Sequence, residues 1–391
     1  MSGHRHDVEG ISVAAGLRGL VLVIAVATVA GLAVFWPRGA LSDDFVAVRT
    51  GLVYVNATVI STATSDCVDL AEGLPTECQS VGIVITSGPD EGEQSNVLIS
   101  AIDFSAPTLE DGDQIVVLYN ALAPPEFQYT FVEYQRQAPL LLLALAFVLV
   151  VVGFGRWKGV RALAGLSVST GAIFFFLLPS LLRGNNAVMV ALVTTSVVAF
   201  AALYIAHGVN ASTTVALVGT LGSVVFITIL AVVVTHFAHL TGLSDENFQV
   251  LRVTAEAIDP RGLLIAGIVI SALGVLDDVT VTQVAAVNEL RQANPAMTRS
   301  EVYHAAVRIG RDHVASTVNT LVLAYAGASV ALLLFFFQEG RSVGQVLNRE
   351  LVAIEIVRAL IGSIGLIAAV PVTTALAAAT SDLRSPDPLT P

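Results

Sequence analysis

Eight apolar runs, each long enough to cross a hydrocarbon core of about 30 Å, organise this chain. They fall at 14–35, 139–155, 160–182, 187–206, 213–236, 262–284, 316–337 and 351–378, with polar turns between them. Between the first and second runs the period changes. "LVYVNATVIST", "VGIVITSG", "SNVLISAI" and "DQIVVLYNAL" are short stretches rich in Val, Ile, Thr and Tyr, bounded by "GPDEGEQ", "SAPTLEDG" and "APPE". They read as strands with turn chemistry between them. The expected fold is an α-helical polytopic membrane protein of about eight transmembrane helices, carrying a β-rich, OB-like or small-barrel domain. Its parts are a tail and first helix over 1–36, the β-rich domain over 37–138, the helical domain over 139–380, and a disordered tail over 381–391.

Composition agrees, since 55% hydrophobic and 13% charged residues do not suit a soluble chain of 391 residues. The net charge of −12 is local, because fifteen of the 31 Asp and Glu, but three of the 19 Lys and Arg, lie within 37–138. No basic face is left to neutralise phosphates, which argues against nucleic acid as a partner. Lys and Arg in the short loops orient the chain. With both termini in the cytoplasm, Arg5, Arg18, Arg156, Lys158, Arg161, Arg291, Arg299, Arg308, Arg311 and Arg384 lie inside, and 37–138 is extracytoplasmic. The expected location is the cell membrane, crossed many times. Cys67 and Cys78 both fall in the part placed outside, where a disulfide persists, with two buried free thiols as the alternative. The run at 13–36 is longer than a secretory h-region and ends in "FWPRGA", so it reads as an anchor and not a cleaved leader. His4 and His6 read as a polar tail and not a metal site.

Two spans carry related stretches, "ALVGTLGS" at 216–223 and "ALIGSIGL" at 359–366, and two others start "RALAGLSVSTG" at 161 and "RGLLIAGIVISALG" at 261. Each lies three spans from its partner, the arrangement of a 3+3 inverted repeat. Chance recurrence of small residues in packed membrane helices is the alternative. Under this alignment "LLPS" at 177–180 occupies the place of "LDDV", so Pro179 and the aspartates interrupt their helices at one depth.

The chemistry is concentrated in "GVLDDVTVTQ" at 274–283. A helix entered near Gly262 reaches Asp277 after about 22 Å, still inside the core. Asp277, Asp278, Thr282, Asn288 and Glu289 fall in an arc of about 140°, a face that must look into the bundle or a wet cavity. The alternative is that the span ends early and the acids lie at the interface. Downstream, Asn294-Pro295 ends the helix and a capping box of Thr298 and Glu301 starts the next. On that helix Arg308, Asp312, Ser316 and Asn319 form a stripe at spacings of four, four and three. In the last span Glu355 and Arg358, three apart, are expected to pair, and Pro371 to interrupt the helix before Thr373 and Thr374. His207 and Asn210 read as turn residues. The expected polar site is therefore Asp277, Asp278, Thr282, Asp312, Ser316, Asn319, Glu355 and Arg358, with no catalytic, cofactor or metal residues.

"GVLDDVTVTQ", "GRDHVASTVNTLVLAYAG" and "EIVRALIGSIGLIAAVPVTTAL", in this order, resemble the hallmark segments of the YibE/F membrane proteins. The resemblance implies an integral membrane protein of permease-like character and carries a single acid onto Asp278, with Asp277 as an addition. The functional expectation is a secondary transporter, coupled to a proton or other ion, with Asp278 as the proton carrier. A non-transporting scaffold or receptor, whose outer domain engages an envelope component, is the second reading. An enzyme is not expected. Membrane aspartyl proteases need acids on facing helices, whereas adjacent residues point about 100° apart. "DDVTV" lacks the further acid and second motif of a prenyl-diphosphate site, and no GxxxxGK[ST] occurs. Expected partners are the lipid bilayer, a small solute or ion, and, with room left for it, a second copy.

Overall fold

The computed structural model describes residues 3–38, 52–66, 77–100, 107–244, 258–338, 340 and 342–381. Cys67 and the tail beyond 381 lie outside the described residues, and of Cys78 only the backbone is described, so neither the expected bridge nor the expected disorder is addressed. The chain divides into two compact units, Ala40–Val150 and a second formed by Met1–Gly39 with Val151–Pro391.

The first unit is built on a five-stranded antiparallel sheet ordered β3-β2-β1-β4-β5, from β1 (Leu52–Asp66), β2 (Glu77–Ile85), β3 (Gln94–Ser100), β4 (Gln114–Asn120) and β5 (Tyr129–Tyr134). Alternation places Val55, Ala57 and Val59 of β1 on one face with Val81, Ile83 and Ile85 of β2 and Ile115 and Val117 of β4, all buried. Register shifts at Val59/Ser61 and Val116/Val117 sharpen the twist. The sheet curls into a half-barrel whose edge strands β3 and β5 touch. Asp90 accepts a 2.5 Å hydrogen bond from the Tyr129 hydroxyl beside that core.

The helical unit contains α1 (Gly3–Phe35), most of α2 (Gln137–Ala172), a π turn at Ile173–Leu177 and α3 (Leu178–Leu182). It continues through α4 (Ala187–His207), α5 (Ala211–Phe237), α6 (Pro260–Ala293), α7 (Arg299–Ala328), α8 (Val330–Gln338), α9 (Val343–Leu347) and α10 (Glu350–Thr380). Among the described residues six helical stretches are long and apolar enough to cross a membrane, or seven if α7 and α8, bent by 60°, make one span. The expected count was eight. The difference lies at Gln137–Leu182, where two expected spans form one 46-residue helical stretch. Its continuity is broken at Arg156, whose φ of 49° and ψ of −129° are non-helical. A side chain at Gly159 would collide with the Val151 carbonyl oxygen. Residues eight apart on an unbroken helix are about 12 Å apart, so the chain turns back sharply at Arg156.

Hydrogen bonds between helix ends set the directions of α5, α6 and α10. At the near end, where α1 begins and α10 finishes, Arg291 donates to Ser381 (3.0 Å) and Asn288 to Ser212 (3.1 Å). Leu17, Arg18, Asn210 and Thr380 line one groove there. At the far end the Glu350 carboxylate accepts from the backbone N–H groups of Thr241 (2.5 Å) and Gly242 (2.8 Å), and Arg261 Nε donates to the Leu240 carbonyl (3.0 Å). α6 and α10 thus run in one direction and α5 in the other.

α6 is the hub, packed against α4, α5, α7 and α10. Asp259 caps its start, with Pro260 as its first residue. The helix runs through Asp277 and Asp278 without a break. α10 likewise continues through Pro371, contrary to the expected interruption. One missing backbone donor is tolerated where close packing on both sides holds the helix. The inverted repeat does not extend to the packing. Residues 161–171, its counterpart of the start of α6, lie against α4 through Arg161 and Gly165, and have no share in the hub's contacts with α5 and α10. Nor are the two aligned glycines equivalent. Thr373 fills the space a Gly219 side chain would need, while a Cβ at Gly362 would meet nothing within 4 Å. Of the recurring glycines, Gly219 and Gly365 lie under Thr373 and Ile227, whereas a Cβ at Gly222 or Gly362 would meet nothing within 4 Å.

Candidate functional site: a groove with paired carboxylates

Asp277 and Asp278 lie at the middle of α6 and line a groove of about 520 Å³ between α2, α4 and α6. Gly165 and Ser169 of α2 form one wall, and Thr194 and Thr195 of α4 another. Those three hydroxyls donate back to carbonyls of their own helices, which leaves their lone pairs free to accept. Asp277 is half-buried; Asp278 is exposed and turned toward α7, where its Oδ2 lies 3.8 Å from His313 Nε2. That separation permits an ion pair with a protonated imidazole and is too long for a hydrogen bond.

A second groove of about 290 Å³, lined by Asn210, Ser212 and Asn288, shares His207 and Val281 with the first. Together they lead from the near end to the carboxylates. His207 stands where the two grooves meet, a position its place at the end of a helix did not announce. Asn210 is the turn residue expected, capping α5 by accepting from the Thr213 N–H at 2.9 Å.

The remaining site expectations separate. Thr282 is half-buried on α6 and lines neither groove. Asp312, Ser316 and Asn319 are exposed on α7, on the side opposite Ala306, Gly310 and Val314, which pack inward. Glu355 and Arg358 do pair, at 2.9 and 3.1 Å, each about a quarter exposed (26% and 27%). The pair is nonetheless distant from the acids. Thr374 of α10 is level with Gln283 of α6, and the two helices run in one direction, so Glu355 lies about 20 Å along the bundle from Asp277.

A dry polar cluster backs the groove on the opposite side of α6. Thr280 and Thr220 share a 2.7 Å hydrogen bond, and the Thr374 hydroxyl donates to Gln283 Oε1 at 2.9 Å. All four are fully buried with Thr373. Gly219 lies under Thr373 and Gly310 under Gln283, because no larger residue fits there. Thr280 and Gln283 were within "GVLDDVTVTQ", three and six positions after Asp277. Their spacing of three was the signal for a shared helix face.

Several long apolar helices with ionisable groups at mid-length define a multi-span membrane protein. More particularly, this chain belongs to the YibE/F-like protein family, whose model matches residues 143–382. The resemblance carried by the three quoted segments is thereby borne out. No curated protein and no solved structure matches the chain.

Proposed function

We propose that this protein is a secondary transporter, and not an enzyme, which moves a small solute or ion through the groove between α2, α4 and α6. Coupling is to protons exchanged at Asp277 and Asp278. The observation that supports this reading is the placement of two carboxylates on a groove halfway along a membrane helix, where an ionisable group is costly unless it has a task. The grooves joined at His207 give the acids a route to the near end, and the positive-inside pattern supports a cytoplasmic reading of that end.

We read the stretch broken at Arg156 as two crossings, which brings the count to eight, and the directions of the helices support this reading. Phe35 accepts from Ser180 at the far end, whereas Arg161 donates to the Ile205 carbonyl at 2.6 Å, near the other end of α4. Reading 137–155 as a span returns the chain from the one end to the other, which supports the extracytoplasmic reading of residues 37–138. The strand order and the touching of β3 and β5 suit an OB-like barrel there. The packed Thr and Gln cluster favours the scaffold reading for the α5–α6–α10 interface, and the groove favours transport on the other side of α6.

The test uses purified protein in vesicles loaded with a pH-reporting dye under an imposed potential. Proton entry above that of protein-free vesicles, lost in the Asp277→Asn, Asp278→Asn double variant, is the expected result. Entry unchanged by the double variant, or none with the wild type, would refute the coupling. Impermeant thiol labelling of Glu110→Cys in intact cells, in a background without Cys67 and Cys78, tests the sidedness separately.

A further inference from the structure

We propose that the outward face of α7, formed by Arg308, Asp312, Ser316 and Asn319, is where a second copy of this chain docks. The four residues follow one another at spacings of four, four and three, and all are exposed. At about 100° per residue they occupy an arc of about 80°, opposite the face that carries Ala306, Gly310 and Val314 into the bundle. Among the described residues none of the four side chains has a hydrogen bond or ion pair within the chain.

Depth makes this exposure informative. Gly310 packs against Gln283, and α7 runs opposite to α6, so Asn319 is level with Gly274 and Asp312 with Val281. Asn319 therefore lies about 21 Å into the apolar span that starts at Pro260, and Asp312 about 31 Å along it, at its near-end edge. Lipid offers the amide no hydrogen-bonding partner, so this face needs protein against it. The stretch Leu140–Val150 is exposed and apolar but has no side chain able to hydrogen bond.

A second α7 supplies what is missing. In a twofold pair with its axis along the membrane normal, equivalent residues lie at equal height. Asn319 then meets Asn319, each amide both donor and acceptor. Arg308 of one copy is about 6 Å in height from Asp312 of the other, within reach of its side chain, and the pair forms twice. Charge on this face is complementary to itself, which a heterologous partner does not require. Further along the same face, Gly327 has open space around it and allows close helix approach.

Disulfide trapping in native membranes tests the surface. In a background without Cys67 and Cys78, Ser316→Cys and Asn319→Cys should give an oxidant-dependent band at twice the 40.7 kDa chain mass. Ile229→Cys, exposed on α5, should not. Co-capture of two differently tagged copies should fall at least tenfold with Asn319→Leu and be kept by Asn319→Gln, which restores the amide. Absence of the band, equal trapping at Ile229, trapping to a protein of another mass, or undiminished co-capture with Asn319→Leu would each overturn the proposal. None of these readouts involves transport, so the surface and the proposed function fail independently.

Discussion

Asp278 and His313 face each other from α6 and α7 with 3.8 Å between Oδ2 and Nε2, and Asp278 retains 71% of its side-chain exposure. So open a pair adds little to stability, about 1 kcal/mol at most. A double-mutant cycle of Asp278→Asn with His313→Gln, read by thermal unfolding in detergent, should give a coupling below that value. Loss of proton flux in Asp278→Asn would then report chemistry and not misfolding. A coupling of several kcal/mol would make the residue architectural.

Gly310 is expected to be intolerant of growth. A Cβ there would lie 2.6 Å from Gln283 Nε2 and 2.7 Å from Val370 Cγ1. Gln283 is held by Thr374 and Val370 is buried, so neither gives way readily. Gly310→Ala should cost about 1–3 kcal/mol, seen as a lower melting temperature. Gly222→Ala, with nothing within 4 Å of the new Cβ, should be neutral or gain up to about 1 kcal/mol from helix propensity.

Arg358→Ala would leave Glu355 without its 2.9 Å partner. Breaking a wholly dry pair costs about 3–5 kcal/mol, but with a quarter of each side chain exposed water softens the loss. A decrease of about 1–3 kcal/mol is expected, intermediate between buried and surface pairs. The double variant Arg358→Leu, Glu355→Leu should recover most of it. Failure to recover would mean that Arg358 holds something besides Glu355.

Tyr129 gives the half-barrel a sensitivity to alkali. Burial first, and then the hydrogen bond to Asp90, push its phenol above the ordinary value. The fold therefore favours the neutral phenol. The resulting stability is fully present below about pH 10, the unfolded value, and is lost as pH rises beyond it toward the folded one. In the full chain, one tyrosine should ionise later than the rest during an alkaline titration followed by ultraviolet absorbance. Tyr129→Phe should abolish that late step and lower stability at neutral pH by about 1–2 kcal/mol.

Helices and strands were legible because their periods are local. Val55, Ala57 and Val59 announce a half-buried strand, and the capping box of Thr298 and Glu301 starts α7 where expected. The segment "GVLDDVTVTQ" was equally legible as the centre of polar chemistry. What the sequence could not supply was the direction in which a stripe faces. Asp312 and its neighbour His313 differ by about 100°, enough to put one on the outer surface and the other against Asp278. The repeat signal has a related weakness, since recurring Gly, Ala and Leu do not name the helix approached. Arg156 escaped notice because a positive φ in a non-glycine residue leaves no periodic trace.

α5 and α10 are fastened to each other at two heights. Thr373 fits onto Gly219, and Ile227 fits onto Gly365, eight residues further along α5 and eight back along α10. Either fastener alone would act as a pivot. Two of them, about 12 Å apart, resist both sliding and swivelling. This pair, with α6 packed against both, is a closely fastened part of the helical unit, and under the proposed transport any alternation in which side opens falls to its outer members. Under that same proposal the α2 wall is the member to swing, its contacts with α4 including the Arg161 hydrogen bond and the close approach at Gly165.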